Sequence, residues 1–118
     1  MCSSDLTLVM LATDEDPRVR EAVAQNKNVP VESLIELATD NAPLVRKAVA
    51  INEKTPAKIL SVLAQYKDEY VRAAVAQNKN TPSDTLVQLT QDERFYVSIT
   101  ARKALEGRKA NAKCNIER

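Results

Sequence analysis

The stretch Val71-Arg72-Ala73-Ala74-Val75-Ala76-Gln77-Asn78-Lys79-Asn80-Thr81-Pro82 decides the fold, because the same chain writes it twice more. It stands as Val45-Arg46-Lys47-Ala48-Val49-Ala50-Ile51-Asn52-Glu53-Lys54-Thr55-Pro56 and as Val19-Arg20-Glu21-Ala22-Val23-Ala24-Gln25-Asn26-Lys27-Asn28-Val29-Pro30, each copy 26 residues from the next. Self-similarity at a period of about 20 to 50 residues marks a solenoid. A unit of that size cannot bury its apolar face alone and buries it against its neighbours.

Outward from that stretch the register holds without a gap, over units running Asp5 to Pro30, Val31 to Pro56, Ala57 to Pro82 and Ser83 to Arg108. Val19, Val45, Val71 and Val97 make one column, and Arg20, Arg46 and Arg72 the next. In the other half of the unit, Leu34, Leu60 and Leu86 recur, followed by Leu37, Leu63 and Leu89. Val19, Ala22, Val23 and Asn26 fall at i, i+3, i+4 and i+7, which is one face of a helix with small side chains that permit close approach. In the second half, Thr55 is placed to cap a helix with Pro56 at its first position, and Ile59, Leu60, Leu63 and Ala64 form its buried stripe. Asn26, Asn52 and Asn78 stand where the chain reverses, and asparagine tolerates the left-handed conformation that such a reversal can use. At the other junction, Asp14-Glu15-Asp16-Pro17 and Asp40-Asn41-Ala42-Pro43 leave the capping residue open between the first position and a later one. The expectation is an all-α, right-handed superhelix of about four two-helix units in one domain, 1–108, with a polar tail, 109–118.

The fourth unit departs from the pattern at Ser98, Ala104 and Gly107-Arg108, where the others carry Arg, Asn and Thr-Pro. Its first helix is expected from about Arg94 to Glu106, with the only glycine, Gly107, stopping it. The unit reads as a carboxyl cap, since a terminal repeat needs a polar outer face. Arg108 to Arg118 is expected frayed or partly helical.

The string Val-Arg-x-Ala-Val-Ala-x-Asn-x-x-Thr-Pro-x-x-x-Leu-x-x-Leu resembles the leucine-rich repeat variant family. It is seen as Val71 to Pro82 followed by Leu86 and Leu89, and as Val45 to Pro56 followed by Leu60, Leu63 and Ala64. The resemblance implies a superhelix of the HEAT and armadillo type, with units described as alternating α and 3₁₀ helices. The present unit is slightly longer than the family's usual one, so both of its halves are expected to be α-helical. The family's founding member carries an iron–sulphur cluster on an amino-terminal cysteine group. This chain has only Cys2 in that region, so no cluster is expected.

Composition narrows the chemistry. The chain has 118 residues, enough for one self-supporting domain, and its apolar share comes from Ala, Val and Leu, with no Trp, one Phe and three Tyr. With no His, neither Ser/His/Asp nor Cys/His nucleophile systems can be assembled, and a single Gly excludes Gly-rich phosphate loops. The carboxylates Asp14, Glu15, Asp16 and Asp40 sit at turns, where capping and solvation account for them. Cys2 and Cys114 lie at opposite ends of the sequence without a metal-ligand spacing and read as free thiols. No cofactor and no metal are expected. There is no secretory signal pattern and no apolar run of about 20 residues, so a cytoplasmic location is expected.

Two columns are candidates for a binding surface. Arg20, Arg46 and Arg72 form a row of guanidinium groups that suits phosphates, carboxylates or an acidic peptide. The same row can instead stitch each unit to the next, through helix-end carbonyls or through Asp16 and Asp68, which lie four residues earlier on the same helices. The second column, Arg18, Leu44, Tyr70 and Tyr96, offers amphipathic anchors for a protein or peptide partner. Phe95 and Tyr96 can equally seal the last unit. The reading is a non-catalytic scaffold that binds a protein or peptide, with a nucleic-acid backbone binder as the alternative. A net charge of +1 and the absence of a Lys/Arg cluster weigh against that alternative.

Overall fold

The computed structural model describes the backbone of residues 2–117 and the side chains of residues 7–109. The expectation of free thiols at Cys2 and Cys114 falls outside the described side chains. Among the described residues the chain forms α-helices and no strand: α1 (Cys2–Leu11), α2 (Pro17–Gln25), α3 (Val31–Leu37), α4 (Pro43–Ile51), α5 (Ala57–Leu63), α6 (Glu69–Gln77), α7 (Ser83–Leu89) and α8 (Phe95–Glu117). None of them is long and apolar enough to cross a membrane.

The long helices begin where the sequence supplies a start signal. Asp16 accepts the Arg18 N–H ahead of α2, and Asp68 accepts those of Tyr70 and Val71 ahead of α6. In α4, Ala42 makes no side-chain cap and Pro43 presets the first turn. All three helices end on asparagine, but not in the left-handed conformation. Asn26, Asn52 and Asn78 have φ of −72°, −66° and −79° with extended ψ. The reversal is made by the side chain instead, because each Oδ1 accepts the backbone N–H two residues on, at 2.8 Å.

The short helices α3, α5 and α7 have seven residues each and are α-helical, as the longer unit leads one to expect. Thr55 does not cap α5. Its hydroxyl donates back to Val49 O at 2.6 Å, and Thr81 does the same to Val75 O, so each ties off a carbonyl at the end of the preceding long helix. The expected buried stripe is present in Leu60, Leu63 and Ala64, while Ile59 is only partly buried.

Packing follows the repeat. The helices α2, α4, α6 and α8 lie side by side in one layer, and the short helices pack beside them, in a body 48 × 36 × 17 Å across. At about 8 to 10 Å per helix layer, the thin dimension holds two. Val45, Val71 and Val97 are fully buried between neighbouring long helices, and Leu34, Leu60 and Leu86 lie beneath them. Helix α1 carries Leu8 and Leu11 in the columns of Leu34 and Leu37, so it corresponds to the short helices.

Gly107 does not stop α8, which continues to Glu117. The expectation fails because glycine ends a helix by taking positive φ, and no glycine here does so. Ala104, Leu105, Glu106, Arg108 and Lys109 are helix formers and carry the helix through for about 1 kcal/mol. A Cβ built on Gly107 meets nothing within 4 Å. Gly107→Ala is therefore expected to raise stability by about 0.5 to 1 kcal/mol in a urea melt. A loss of stability would show that the helix breaks there in solution.

Candidate functional site

The arginine row lies between units. Arg20 places Nε 2.6 Å from Asp40 Oδ2 and one Nη 3.0 Å from Asp40 Oδ1, and its other Nη donates to Asp14 O and Glu15 O at 2.6 and 3.0 Å. Arg72 repeats the arrangement with Asp92 at 2.5 and 3.1 Å, and with Tyr66 O and Lys67 O at 3.0 and 2.6 Å. Each guanidinium thus closes the turn before its own helix and grips the carboxylate before the next long helix. The acids proposed from sequence, Asp16 and Asp68, are spent as helix caps. The partner acid lies 20 residues downstream, in a column formed by Asp14, Asp40, Tyr66 and Asp92.

Tyr66 interrupts that column. Arg46 therefore has no carboxylate to grip, and its guanidinium carbon sits 4.3 Å from the centre of the Tyr66 ring. One Nη donates to Asp40 O at 2.6 Å, while the buried Nε has no acceptor. Stacking on the ring replaces the ion pair at this rung. Burial alone would raise the Asp40 and Asp92 pKa values. The hydrogen bonds from Arg20 and Arg72, the capping N–H groups of Ala42 and Arg94, and the nearby positive charges outweigh it, and both carboxylates lie below the ordinary value. Arg20 and Arg72 are raised, chiefly by the same hydrogen bonds.

The asparagine column also joins units. Asn52 Nδ2 donates to Ala24 O at 2.7 Å and Asn26 O at 3.4 Å, and Asn78 Nδ2 to Ala50 O at 2.7 Å and Asn52 O at 3.0 Å. Sequence reasoning assigned these residues to turn-making alone. The pairing of a buried amide with the previous helix end has no local signal, and only the 26-residue recurrence hints at it.

The other candidate column is exposed on the outer face of the long helices. Leu44 is 39 % exposed, Tyr70 59 % and Tyr96 38 %, the Arg18 side chain is 82 % exposed, and Ile51, outside the column, is 51 % exposed. Lys47, Ile51, Tyr70, Ala73, Gln77 and Tyr96 line a groove of about 400 Å³. Pro43, Leu44, Lys47, Asp68 and Tyr70 line an adjoining hollow of about 330 Å³. The rings of Tyr70 and Tyr96 lie 6.2 Å apart, tilted by 31°. Burial, and then a hydrogen bond to Glu69 and that carboxylate's charge, push the Tyr96 phenol up to about 12. Glu69 is also held by Arg94 at 2.6 Å, so it anchors one wall of the groove. Phe95 is 74 % exposed and seals nothing, and the last interface is closed by Val97 and Ala101.

Neither the curated proteins nor the solved structures give a match to this chain. Residues 71–94 match the family model described as leucine rich repeat variant. That span takes in most of α6, all of α7 and the turn carrying Asp92, and so both members of the Arg72–Asp92 pair. The unit at residues 71–94 is thus similar to a leucine rich repeat variant, and its sequence pattern recurs in the units before it.

Proposed function

We propose that the protein is a non-catalytic scaffold that binds a protein or peptide segment along the outer face of its long helices. One observation carries this reading: Leu44, Ile51, Tyr70 and Tyr96 are all more than a third exposed around a continuous groove with a single cation, Lys47, in its wall. Apolar and aromatic anchors in a row suit a chain segment with spaced apolar side chains, and Lys47 adds a preference for an acidic residue between them. A repeat family whose units stack into extended faces supports the same reading. A chain without histidine lacks the commonest general base, which supports the non-catalytic part. The phosphate-binding alternative loses its ladder, since Arg20 and Arg72 already hold Asp40 and Asp92 and their side chains are 18 % and 12 % exposed.

A peptide library displayed on phage and selected on the full chain tests the proposal. Enriched sequences are expected to carry two spaced apolar or aromatic residues with an acid between them. Leu44→Asp and Tyr70→Asp, both at exposed positions, should weaken the selected peptides by at least about tenfold. A labelled nucleic-acid duplex should show no binding at physiological ionic strength. Peptides that bind the two variants as well as the wild type would sink the reading. So would micromolar duplex binding that falls with added salt.

A further inference from the structure

The outer groove does not end at Ile51. Gln25, Lys27, Ile51, Asn52, Glu53 and Lys54 line a third hollow, of about 330 Å³, over the carboxyl ends of α2 and α4. Lys47 and Tyr70 line both of the hollows described above, and Ile51 is shared by the larger of those two and the third. The three form one channel that follows α4 from Pro43 at its start to Lys54 just past its end. No residue of α1, and none of α8 beyond Tyr96, lines it.

Charge is sorted along this channel. At its start stands Asp68, whose carboxylate accepts the N–H groups of Tyr70 and Val71. Lys47 stands in the middle, and Lys27 and Lys54 stand at the far end beside Glu53, whose carboxylate lies 4.0 Å from Lys79. Glu69, next to Tyr70, is held by Arg94 and by the Tyr96 phenol. Lys27, Lys47 and Lys54 are exposed and hold no acid among the described residues. Glu21, one unit before Lys47 in the same column, lies outside the lining. The acids around the channel are thus committed, and its three cations are not.

The walls offer side chains and almost nothing else. The N–H and C=O groups of α4 and α6 are bonded within their helices, so no strand edge is present for an extended segment to join. Asn52 commits its amide to Ala24 O and Asn26 O and its oxygen to the Lys54 N–H. Of the amides that line the channel, only Gln25 and Gln77 are left to serve a visiting backbone. An extended segment would therefore turn N–H and C=O groups onto Leu44, Ile51 and Tyr70 with no partner, whereas a helix bonds its own backbone and shows the wall only side chains.

We infer that the occupant is an amphipathic α-helix of a partner polypeptide, about three turns long, lying in the channel and running in the same direction as α4. Its apolar residues stand at i, i+3 or i+4 and i+7, an acid faces Lys47, and its carboxyl end meets Lys27 and Lys54. The inference rests on the reading that this face binds a chain segment, and adds that segment's conformation and direction. The nine residues of α4 extend about 13 Å at 1.5 Å per residue, so a helix of about eleven residues spans the channel and the turn beyond it. The carbonyls in the last turn of a helix carry partial negative charge and suit two ammonium groups, while its first turn is partly positive and suits the end marked by Asp68. A second copy presenting the same face brings no uncommitted acid, since Asp68 caps α6 and Glu53 lies beside Lys79.

The test uses the peptides that the phage selection enriches, made with a nitroxide at one end or the other and added to the full ¹⁵N-labelled chain. Circular dichroism of the complex, less that of the chain alone, is expected to show helix gained on binding. A nitroxide at the peptide's carboxyl end should broaden the amides of Lys27 and Lys54, and one at its amino end those of Leu44 and Asp68. Lys27→Gln combined with Lys54→Gln, both at exposed positions, should weaken binding about fivefold and leave the amide spectrum of the free chain otherwise unchanged. Binding without gain of helix, broadening at the opposite ends, or undiminished affinity in the lysine variant would each overturn the inference while the peptide-binding reading stands. A selection that enriches nothing would sink that reading and this inference with it.

Discussion

Leu60→Ala and Leu63→Ala are each expected to lower the unfolding free energy by about 2 to 5 kcal/mol. Both side chains are fully buried on α5, in an interior unit with neighbours on either side. The buried core is Val, Ala and Leu, and the Tyr66 ring packed against it is stacked with Arg46, so little of the cavity is recovered by relaxation. Set against a total stability of about 5 to 15 kcal/mol for an ordinary domain, the loss removes a large part of the margin. Urea melts measure it directly. Losses below about 1 kcal/mol at both positions would show that the buried face of the short helix is assigned wrongly.

Arg72→Ala is expected to cost about 2 to 3 kcal/mol, because it leaves the Asp92 carboxylate, whose side chain is 7 % exposed, without its cation. The full penalty of a completely buried pair is not reached, since the arginine side chain keeps 12 % exposure. The cost carries a pH signature. The folded-state pKa of Asp92 is lowered, so the pair contributes fully above the ordinary aspartate value of about 4 and loses its contribution as pH falls through the lowered folded value. Wild type and Arg72→Ala should therefore converge in acid and stand apart at pH 7. Removing the carboxylate as well, in Arg72→Ala with Asp92→Ala, should restore part of the stability. Arg46→Ala should cost less than Arg72→Ala, because its partner is the neutral ring of Tyr66 and no carboxylate is orphaned. Equal melting midpoints for wild type and Arg72→Ala at pH 7 would refute the account.

The two helices of each unit were legible because burial imposes a period that can be counted. Val19, Ala22, Val23 and Asn26 were placed on one face by spacing alone; their counterparts one unit on, Val45, Ala48, Val49 and Asn52, are all buried, whereas of the first four only Val23 is. What the sequence hid are contacts between chemically matched residues with no fixed local spacing. Asp16 and Asp68 are the nearest acids to Arg20 and Arg72 along the chain, yet the helix amino ends claim them, because a capping acceptor satisfies N–H groups that have no other partner. The carboxylate that is free to turn toward the arginine belongs to the next unit. Gly107 was misread for a related reason: a stop signal acts only where the chain beyond it leaves the helix, and the residues after it favour continuing. The outer groove was half visible. Leu44, Tyr70 and Tyr96 were named as a column, but only the packed helices show that Lys47 and Ile51 complete its lining.

The hydrogen bonds and ion pairs that carry one unit onto the next join residues 20 to 29 positions apart, from Arg20 with Asp40 to Arg108 with Lys79. A topology assembled from such short closures has a low contact order, so the entropy lost in closing each loop is small and nearly the same at every step. Folding can then begin in any adjacent pair of units and spread in both directions, without waiting for distant segments to meet. Unfolding runs along the same line, and amide exchange should slow from the two ends of the stack toward α4 and α6, the helices with a long-helix neighbour on each side.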